Sequence, residues 1–322
     1  MTTTTPQLPT KQTALEFHAG PDPLSSLRIN HGAPLPTFPK SGSNTLVHVH
    51  YASPNPIDYK LAAVFWPVPR LVFGSGPIIP GTSFAGTVVQ TTVPDLKAGD
   101  LVWGKHDVPK KFGGSAEYTV TGGVDGAIKV PDAAGKDLLD EFAGAGVVAI
   151  TALQMLWASN LPYSRAYKAS GGQATVQATG GTVFINGGSG GVGTFAVQMA
   201  KHCFGCEKVV ASCSGANVDL VKSLGADEVV DYRSCGPGGV SGWLKDWSKR
   251  NGGQMFDVVL DNVGSDELYW QCHNYLKAEG GKYVQVCCPI LVVFKCCILT
   301  TQVRWWIVSR RLRFTRQEND MA

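Results

Sequence analysis

The chain has 322 residues, 44% hydrophobic and 16% charged, a composition that excludes a disordered chain and leaves room for two domains with separate cores. The formal charge of +3 is carried by the end: six basic residues face two acids from Pro289 onward, so residues 1–288 stand at −1. A near-neutral body excludes polyanion binding, and no nucleic-acid partner is expected.

The opening MTTTTPQLPTKQ has no apolar core, no acid before Glu16 and no arginine before Arg28. It reads as a frayed cytoplasmic terminus, with a mitochondrial presequence as the alternative. Up to about residue 135 the chain consists of short β-like runs broken by Gly and Pro, at 46–51 (LVHVHY), 84–90 (FAGTVVQ), 101–104 and 116–120. Their spacing predicts a β-rich barrel or partly open sandwich. His48 and His50 alternate on one of these strands with no third ligand nearby, and read as partly exposed barrel residues. Trp66 and Trp103 line a cleft or fill core. Residues 140–158 (DEFAGAGVVAITALQMLWA) predict a long helix without a polar face, hence a buried one. Residues 162–181, rich in Ser, Gly, Ala and Thr, read as a connector.

Beyond it the rhythm changes. Apolar runs at 182–185, 208–211, 228–230, 256–260 and 282–286 alternate with helical segments near 190–203, 216–223, 239–250 and 265–277. Gly225 stands where a left-handed helix end is wanted, and Ser265 precedes two acids as an N-cap. This alternation predicts a parallel sheet covered on both faces. All nine cysteines lie after residue 200, an odd number bunched in one half, which points to a reducing compartment rather than a disulfide framework.

Gly188-Ser189-Gly190-Gly191-Val192-Gly193 fits G-x-G-x-x-G between a buried-type strand and a helix whose Val192, Ala196, Met199 and Cys203 form an apolar stripe. Gly188 is expected to make the tight turn, Gly190 to admit the pyrophosphate and Gly193 to let the helix pack on the strand. An NAD enzyme places an acid at the end of the second strand; here Ser212, Ser214 and Asn217 occupy that region. Small donors, with Tyr232 after the third strand, suit a 2′-phosphate, so NADPH is the expected cofactor. The alternative is a solvated loop without preference.

The chain resembles the medium-chain dehydrogenase/reductase superfamily, in its zinc-independent quinone oxidoreductase-like branch that includes the reticulon-4-interacting-protein-like proteins. The resemblance runs in order through NPIDYK (55–60), PGTSFAG (80–86), AGDLVWG (98–104), GGSAEY (113–118), TALQ (151–154), the glycine loop, LGAD (224–227) and FDVVLDNVG (256–264). It implies an α/β fold, with a GroES-like β-rich catalytic domain over residues 1–157 and a Rossmann-type NADP domain over 158–288. It also implies a homodimer. Asn55, Asp58 and Lys60 would serve the nicotinamide and substrate, with Lys60 beside the developing enolate oxygen. Thr151 would contact the carboxamide, and Val263 and Gly264 would meet the nicotinamide ring. The bland alternatives are a turn at Asn55, a cap at Asp58, a solvated Lys60 and a helix-backbone bond at Thr151.

The zinc members' first-motif Cys and G-H-E run are missing, no cysteine precedes residue 200, and Cys203-x-x-Cys206 has no second pair; no metal is expected. The implied reaction is hydride transfer to a quinone or α,β-unsaturated carbonyl. A 2-enoyl-thioester reductase is an alternative, although the Tyr those members use is missing between Leu61 and Phe84; a truncated, inactive remnant is another. Ser83 replaces the family's usual acid. Residues 289–322 match nothing in the family and read as foreign sequence in place of its ending. A membrane anchor there is disfavoured, because Pro289 and Lys295 interrupt an apolar stretch shorter than a ~20-residue span.

Overall fold

The computed structural model describes residues 8–64, 76–106, 112–123, 126–132, 134–159, 161, 180–286 and 308–310. The chain divides into two compact units, residues 1–147 and 148–322.

The first unit holds β1 (Lys11–Glu16), β2 (Arg28–Pro34), β3 (Asn44–Ser53), α1 (Pro56–Val64), β4 (Ser83–Thr91), β5 (Leu101–Lys105), β6 (Tyr118–Gly122) and β7 (Ala127–Lys129). Five of these strands form an antiparallel sheet in the order β6-β3-β4-β5-β7, and β1 pairs with β2 separately. The alternation of a strand explains its two sides. Phe84 packs with Val47, Val88 and Val102, whereas its neighbour Ala85 packs with Val130, Leu139 and Ala143. Trp103 is core filling, its ring 5.8 Å from Phe142; Trp66 lies outside the described residues. The β1–β2 pair was not expected, because its inward positions include Gln12 and Glu16. Glu16 is buried only because Arg28 and Asn30 satisfy its carboxylate.

The chain passes from one unit to the next within α2 (Leu139–Ala158). Length and composition alone would let α2 cross a membrane, as they would any core helix. Its Leu139 and Ala143 are buried in the first unit, and Ala152, Met155 and Leu156 in the second.

The second unit alternates β8 (Thr182–Asn186), α3 (Gly191–His202), β9 (Lys208–Cys213), α4 (Val218–Ser223), β10 (Glu228–Asp231), α5 (Gly239–Arg250), β11 (Val258–Asp261), α6 (Asp266–Gln271) and β12 (Lys282–Gln285). The sheet order is β10-β9-β8-β11-β12, all parallel, and the described tail segment β13 (Val308–Arg310) pairs antiparallel with β12. The rest of residues 289–322, expected to be a non-family tail, and residues 162–179 of the expected connector 162–181 lie outside the described residues. Val183, Ile185, Val209, Ala211 and Leu260 face one core, and Phe184, Val210 and Val259 face the other. Both faces are therefore covered, as a parallel sheet requires.

Helix punctuation follows the sequence. Gly225 has φ +112° behind α4, and Ser265 Oγ accepts from the Leu268 N–H to cap α6. The last segment is shorter than expected: α6 stops at Gln271 and gives way to a 3₁₀ turn at Cys272–Asn274. On α3 the fully buried residues are Gly193, Ala196, Val197 and Ala200. Val192, Met199 and Cys203, expected to lead the apolar stripe, border it instead. Burial pushes the thiols of Cys206, Cys213, Cys235 and Cys272 up, that of Cys206 to about 12.

Candidate functional site

Strand order reverses between β8 and β11: α3 and β9 lead off one way and β12 lies the other way. In an open parallel sheet this is where a crevice forms at the carboxyl ends of the strands. The glycine segment follows β8 at this point.

Gly187 makes the tight turn there, with φ +78°, and not Gly188 as the motif suggested. Gly188 is a close-approach residue: its N–H donates to the Ser212 carbonyl, and a Cβ on it would lie 2.9 Å from that of Ala211. At Gly193 a Cβ would fall on the Gly187 carbonyl, so α3 can pack this tightly only with glycine there. Gly190, by contrast, has φ −78° and nothing closer than 3.4 Å to an added Cβ. Its missing side chain is not demanded by the protein. The first helical bond is Thr194 N–H to Gly190 O, and no side chain caps α3. The N–H groups of Gly191, Val192 and Gly193 thus open the helix without intrahelical partners, suited to an anion.

Ser212, expected as a phosphate donor, does a different job. It is buried, accepts from the Gly187 N–H at 3.0 Å and donates to Asn186 Oδ1 at 2.6 Å. Its hydrogen is used inside the fold, a pairing 26 residues apart that local sequence cannot show. Ser189, Ser214 and Asn217 do come together: Asn217 Nδ2 lies 3.3 Å from Ser189 Oγ and 3.2 Å from Ser214 Oγ. Tyr232 is exposed, its N–H bound to the Cys213 carbonyl and its ring under the Arg233 guanidinium at 5.6 Å.

Below the turn runs a network the sequence did not suggest. Asp261, fully buried at the end of β11, accepts from Asn186 Nδ2 at 2.9 Å and from Tyr283 Oη at 2.8 Å. It also accepts from the N–H groups of Val263, Gly264 and Ser265 at 3.0, 3.0 and 2.7 Å. These bonds hold residues 262–265 in place, with Val263 exposed and Gly264 at φ +85°. Burial and the neighbouring Asp261 carboxylate push the Tyr283 hydroxyl well above its ordinary value, which keeps it a donor. Asn262 donates through Nδ2 to the Asn186 carbonyl at 3.0 Å, while its Oδ1 is buried without a partner among the described residues. Thr151 is half-buried on α2.

In the first unit, Asn55 precedes α1. Its Nδ2 donates to the Ser53 carbonyl, Thr82 Oγ1 and Ser83 Oγ at 3.1, 3.0 and 3.1 Å. Asp58 Oδ2 accepts from the Asn55 N–H at 2.7 Å, fixing the entry to α1. Burial raises the Asp58 pKa, against opposing hydrogen bonds from Asn55, Thr82 and Gly81. Ser83 is buried and also accepts from Val147 N–H at 3.0 Å. Thr82 and Ser83 were not singled out as partners of Asn55. Lys60 is exposed on α1. Asn55 and Asp58 therefore form one polar group with Thr82 and Ser83.

The histidine pair sits on β3, His48 half-buried and His50 exposed, with His48 stacked on Tyr118 at 4.9 Å and His50 Nε2 2.8 Å from Thr87 Oγ1. Among the described residues no three His, Cys, Asp or Glu side chains converge on a cation position.

The family profile of the alcohol dehydrogenase GroES-like domain matches residues 41–135, and that of zinc-binding dehydrogenase matches residues 191–290. The zinc in the second description finds no donor set among the described residues. A trans-enoyl reductase of Aspergillus terreus is 39% identical over 294 residues, 87% of this chain and 72% of the relative. The mitochondrial NAD(P)H oxidoreductase RTN4IP1 of Danio rerio is 33% identical over 278 residues, 82% of this chain and 64% of the relative. The solved quinone oxidoreductase of Coxiella burnetii superposes with a TM-score of 0.65 at 25% identity, covering 88% of this chain and 79% of that one. The glycine turn, the open position at Gly190 and the unpartnered Asn262 Oδ1 all fit a dinucleotide.

Proposed function

Because this chain belongs to the medium-chain dehydrogenase/reductase superfamily, with the resemblance carried through both units, we propose that it is an NADPH-dependent reductase of quinones or α,β-unsaturated carbonyl compounds. One observation carries the reading: the uncapped start of α3 and the glycine turn stand together at the switch point of a parallel sheet.

Bound NADPH would supply the hydride. This chain's residues bind and orient. The N–H groups of Gly191, Val192 and Gly193 receive the pyrophosphate, and Gly190 leaves room for it. Ser189, Ser214, Asn217 and Tyr232 receive the 2′-phosphate, where an acid would repel it. Val263 and Gly264, held by Asp261, border the nicotinamide, and Thr151 meets its carboxamide. On the substrate side, Asn55 presents an amide whose position Thr82, Ser83 and Asp58 fix. Lys60 places its ammonium beside the oxygen on which negative charge develops as the carbon–carbon double bond is reduced. Asp58 is a positioning residue, since its carboxylate is engaged at the start of α1.

The name of the A. terreus relative favours a conjugated ene over a quinone as the acceptor. A catalytic domain over 1–157, a cofactor domain over 158–288, a homodimer and a cytoplasmic location complete the proposal; sedimentation of the purified chain tests the dimer.

The deciding experiment is thermal unfolding with NADPH, with NADH and with neither, followed by NADPH oxidation with an enone, a quinone and an enoyl thioester. The expected result is an upward shift with NADPH, smaller with NADH, and turnover of the enone. A sharp transition that neither nucleotide moves overturns the cofactor reading. Binding without turnover of any of the three acceptors overturns the substrate reading alone.

A further inference from the structure

β3 carries His48 and His50 on either side of Val49. On a regular strand that spacing puts both side chains on one face, but well apart. Here a bulge intervenes: Val49 stands opposite Gly86 and Tyr51 opposite Ala85, so His50 is the extra residue. β4 comes this close to β3 only with glycine opposite, because a Cβ on Gly86 would lie 2.1 Å from the His48 carbonyl oxygen. The two imidazole rings end with their centres 5.1 Å apart and their planes at 70°. A metal about 2 Å from one nitrogen of each ring brings imidazole centres to on the order of 5 Å from each other.

Each ring is also held in place. His48 stands opposite Tyr118 of β6 and stacks on its ring at 4.9 Å, and neither of its nitrogens has a hydrogen bond among the described residues. His50 Nε2 lies 2.8 Å from Thr87 Oγ1, and Thr87 stands opposite His48 on β4. That contact occupies one nitrogen of His50 and leaves Nδ1 for a metal. A hydrogen-bonding group on the far nitrogen is the support that orients a ligating imidazole. Burial, His48 and Lys136 lower the His50 pKa, which favours the neutral ring that a metal requires.

We propose that His48 and His50 form a two-imidazole chelate for a divalent transition metal of the nickel–copper kind. The site is open, since a closed structural zinc centre takes four protein ligands; water fills the remaining positions. Imidazole suits nickel, copper and zinc, whereas Mg²⁺ and Ca²⁺ want oxygen ligands. Lys136 opposes a cation, but it is exposed, and its charge is screened by salt. The chelate is separate from the cofactor reading and carries no step of the reaction.

The test titrates the untagged full chain with Ni²⁺ by calorimetry, with Mg²⁺ as the control. Ni²⁺ is preferred to Cu²⁺ because it does not oxidise the cysteines. Wild type is expected to bind a Ni²⁺ that the double variant His48→Asn, His50→Gln does not, and Mg²⁺ should not displace it. Thr87→Val, which removes only the supporting hydroxyl, should weaken binding about tenfold, and the loss of either imidazole should weaken it more. His50 is exposed, so His50→Gln decides should His48→Asn fail to fold cooperatively. Wild type that binds Ni²⁺ no better than the double variant overturns the assignment. Loss in one histidine variant and not in the other overturns the chelate, and displacement by Mg²⁺ would mark an oxygen site instead.

Discussion

The two regions assigned to the reaction are built from different materials. Around the turn after β8 the work is done by backbone: a left-handed Gly187, a Gly193 with no space for a methyl group, and a row of uncapped N–H groups. At the start of α1 it is done by side chains that satisfy one another, with Asn55, Asp58, Thr82 and Ser83 in one hydrogen-bonded group. A backbone site tolerates almost no change at its close approaches. A side-chain site loses one bond at a time.

The comparison can be broken most severely beneath the cradle. Asp261→Ala strands Asn186, Tyr283 and three N–H groups, and is expected to cost about 3 kcal/mol or more, read from urea unfolding. A loss below about 1 kcal/mol would show that the network is not what holds the turn. Gly193→Ala comes next, at about 3 kcal/mol, because its methyl group meets the Gly187 carbonyl and lies 2.8 Å from Gly188 Cα. Gly190→Ala separates structure from binding. Stability without ligand should stay within about 0.5 kcal/mol, while NADPH affinity falls about tenfold or more because the methyl group fills the space proposed for pyrophosphate. Equal NADPH affinity in that variant would remove Gly190 from the cradle.

On the side-chain region the effects are smaller. Asn55→Ala should cost about 1 kcal/mol and slow enone reduction without changing NADPH affinity. Lys60→Ala should leave stability within about 0.5 kcal/mol and lower kcat; unchanged turnover would return Lys60 to the solvated surface. The smallest effect is on pH dependence. Burial raises the Asp58 pKa from its ordinary 3.8, so the folded chain holds that proton more tightly than the unfolded one. Its contribution to stability therefore falls as pH rises from about the unfolded carboxylate pKa (~4) through the raised folded value. Asp58→Asn should flatten that stretch of the stability–pH curve, and an unchanged slope would refute the assignment.

Much of the second unit was legible, because a parallel sheet writes itself as buried runs alternating with capped helices; Gly225 and Ser265 stand where punctuation required them. The glycine motif located the turn after β8 but misplaced it by one residue, since the pattern begins at Gly188 while the chain bends at Gly187. Ser212 was misread for a different reason: its partner Asn186 lies on the neighbouring strand, and pairing across strands has no local signature. The hydrogen-bond network of Asp261 went unnoticed within a motif otherwise read for Val263 and Gly264. In the first unit β1 stayed hidden, because a buried Glu16 breaks the alternation that betrays a strand, and only Arg28 and Asn30 make that burial tolerable. At α1 the motif supplied Asn55 and Asp58, but the hydroxyls that orient them come from residues 82 and 83.

The raised thiols in the second unit have a chemical consequence. Conjugated carbonyl compounds are alkylating agents, and what they alkylate is thiolate. With Cys206 pushed up to about 12, about one part in 10⁵ of it is thiolate at pH 7. Burial moves Cys213, Cys235 and Cys272 the same way. Mass spectrometry after exposure to an enone without NADPH should find these four unmodified, and adducts on them would contradict the burial argument. At these four positions burial keeps the thiol in the form that electrophiles leave alone.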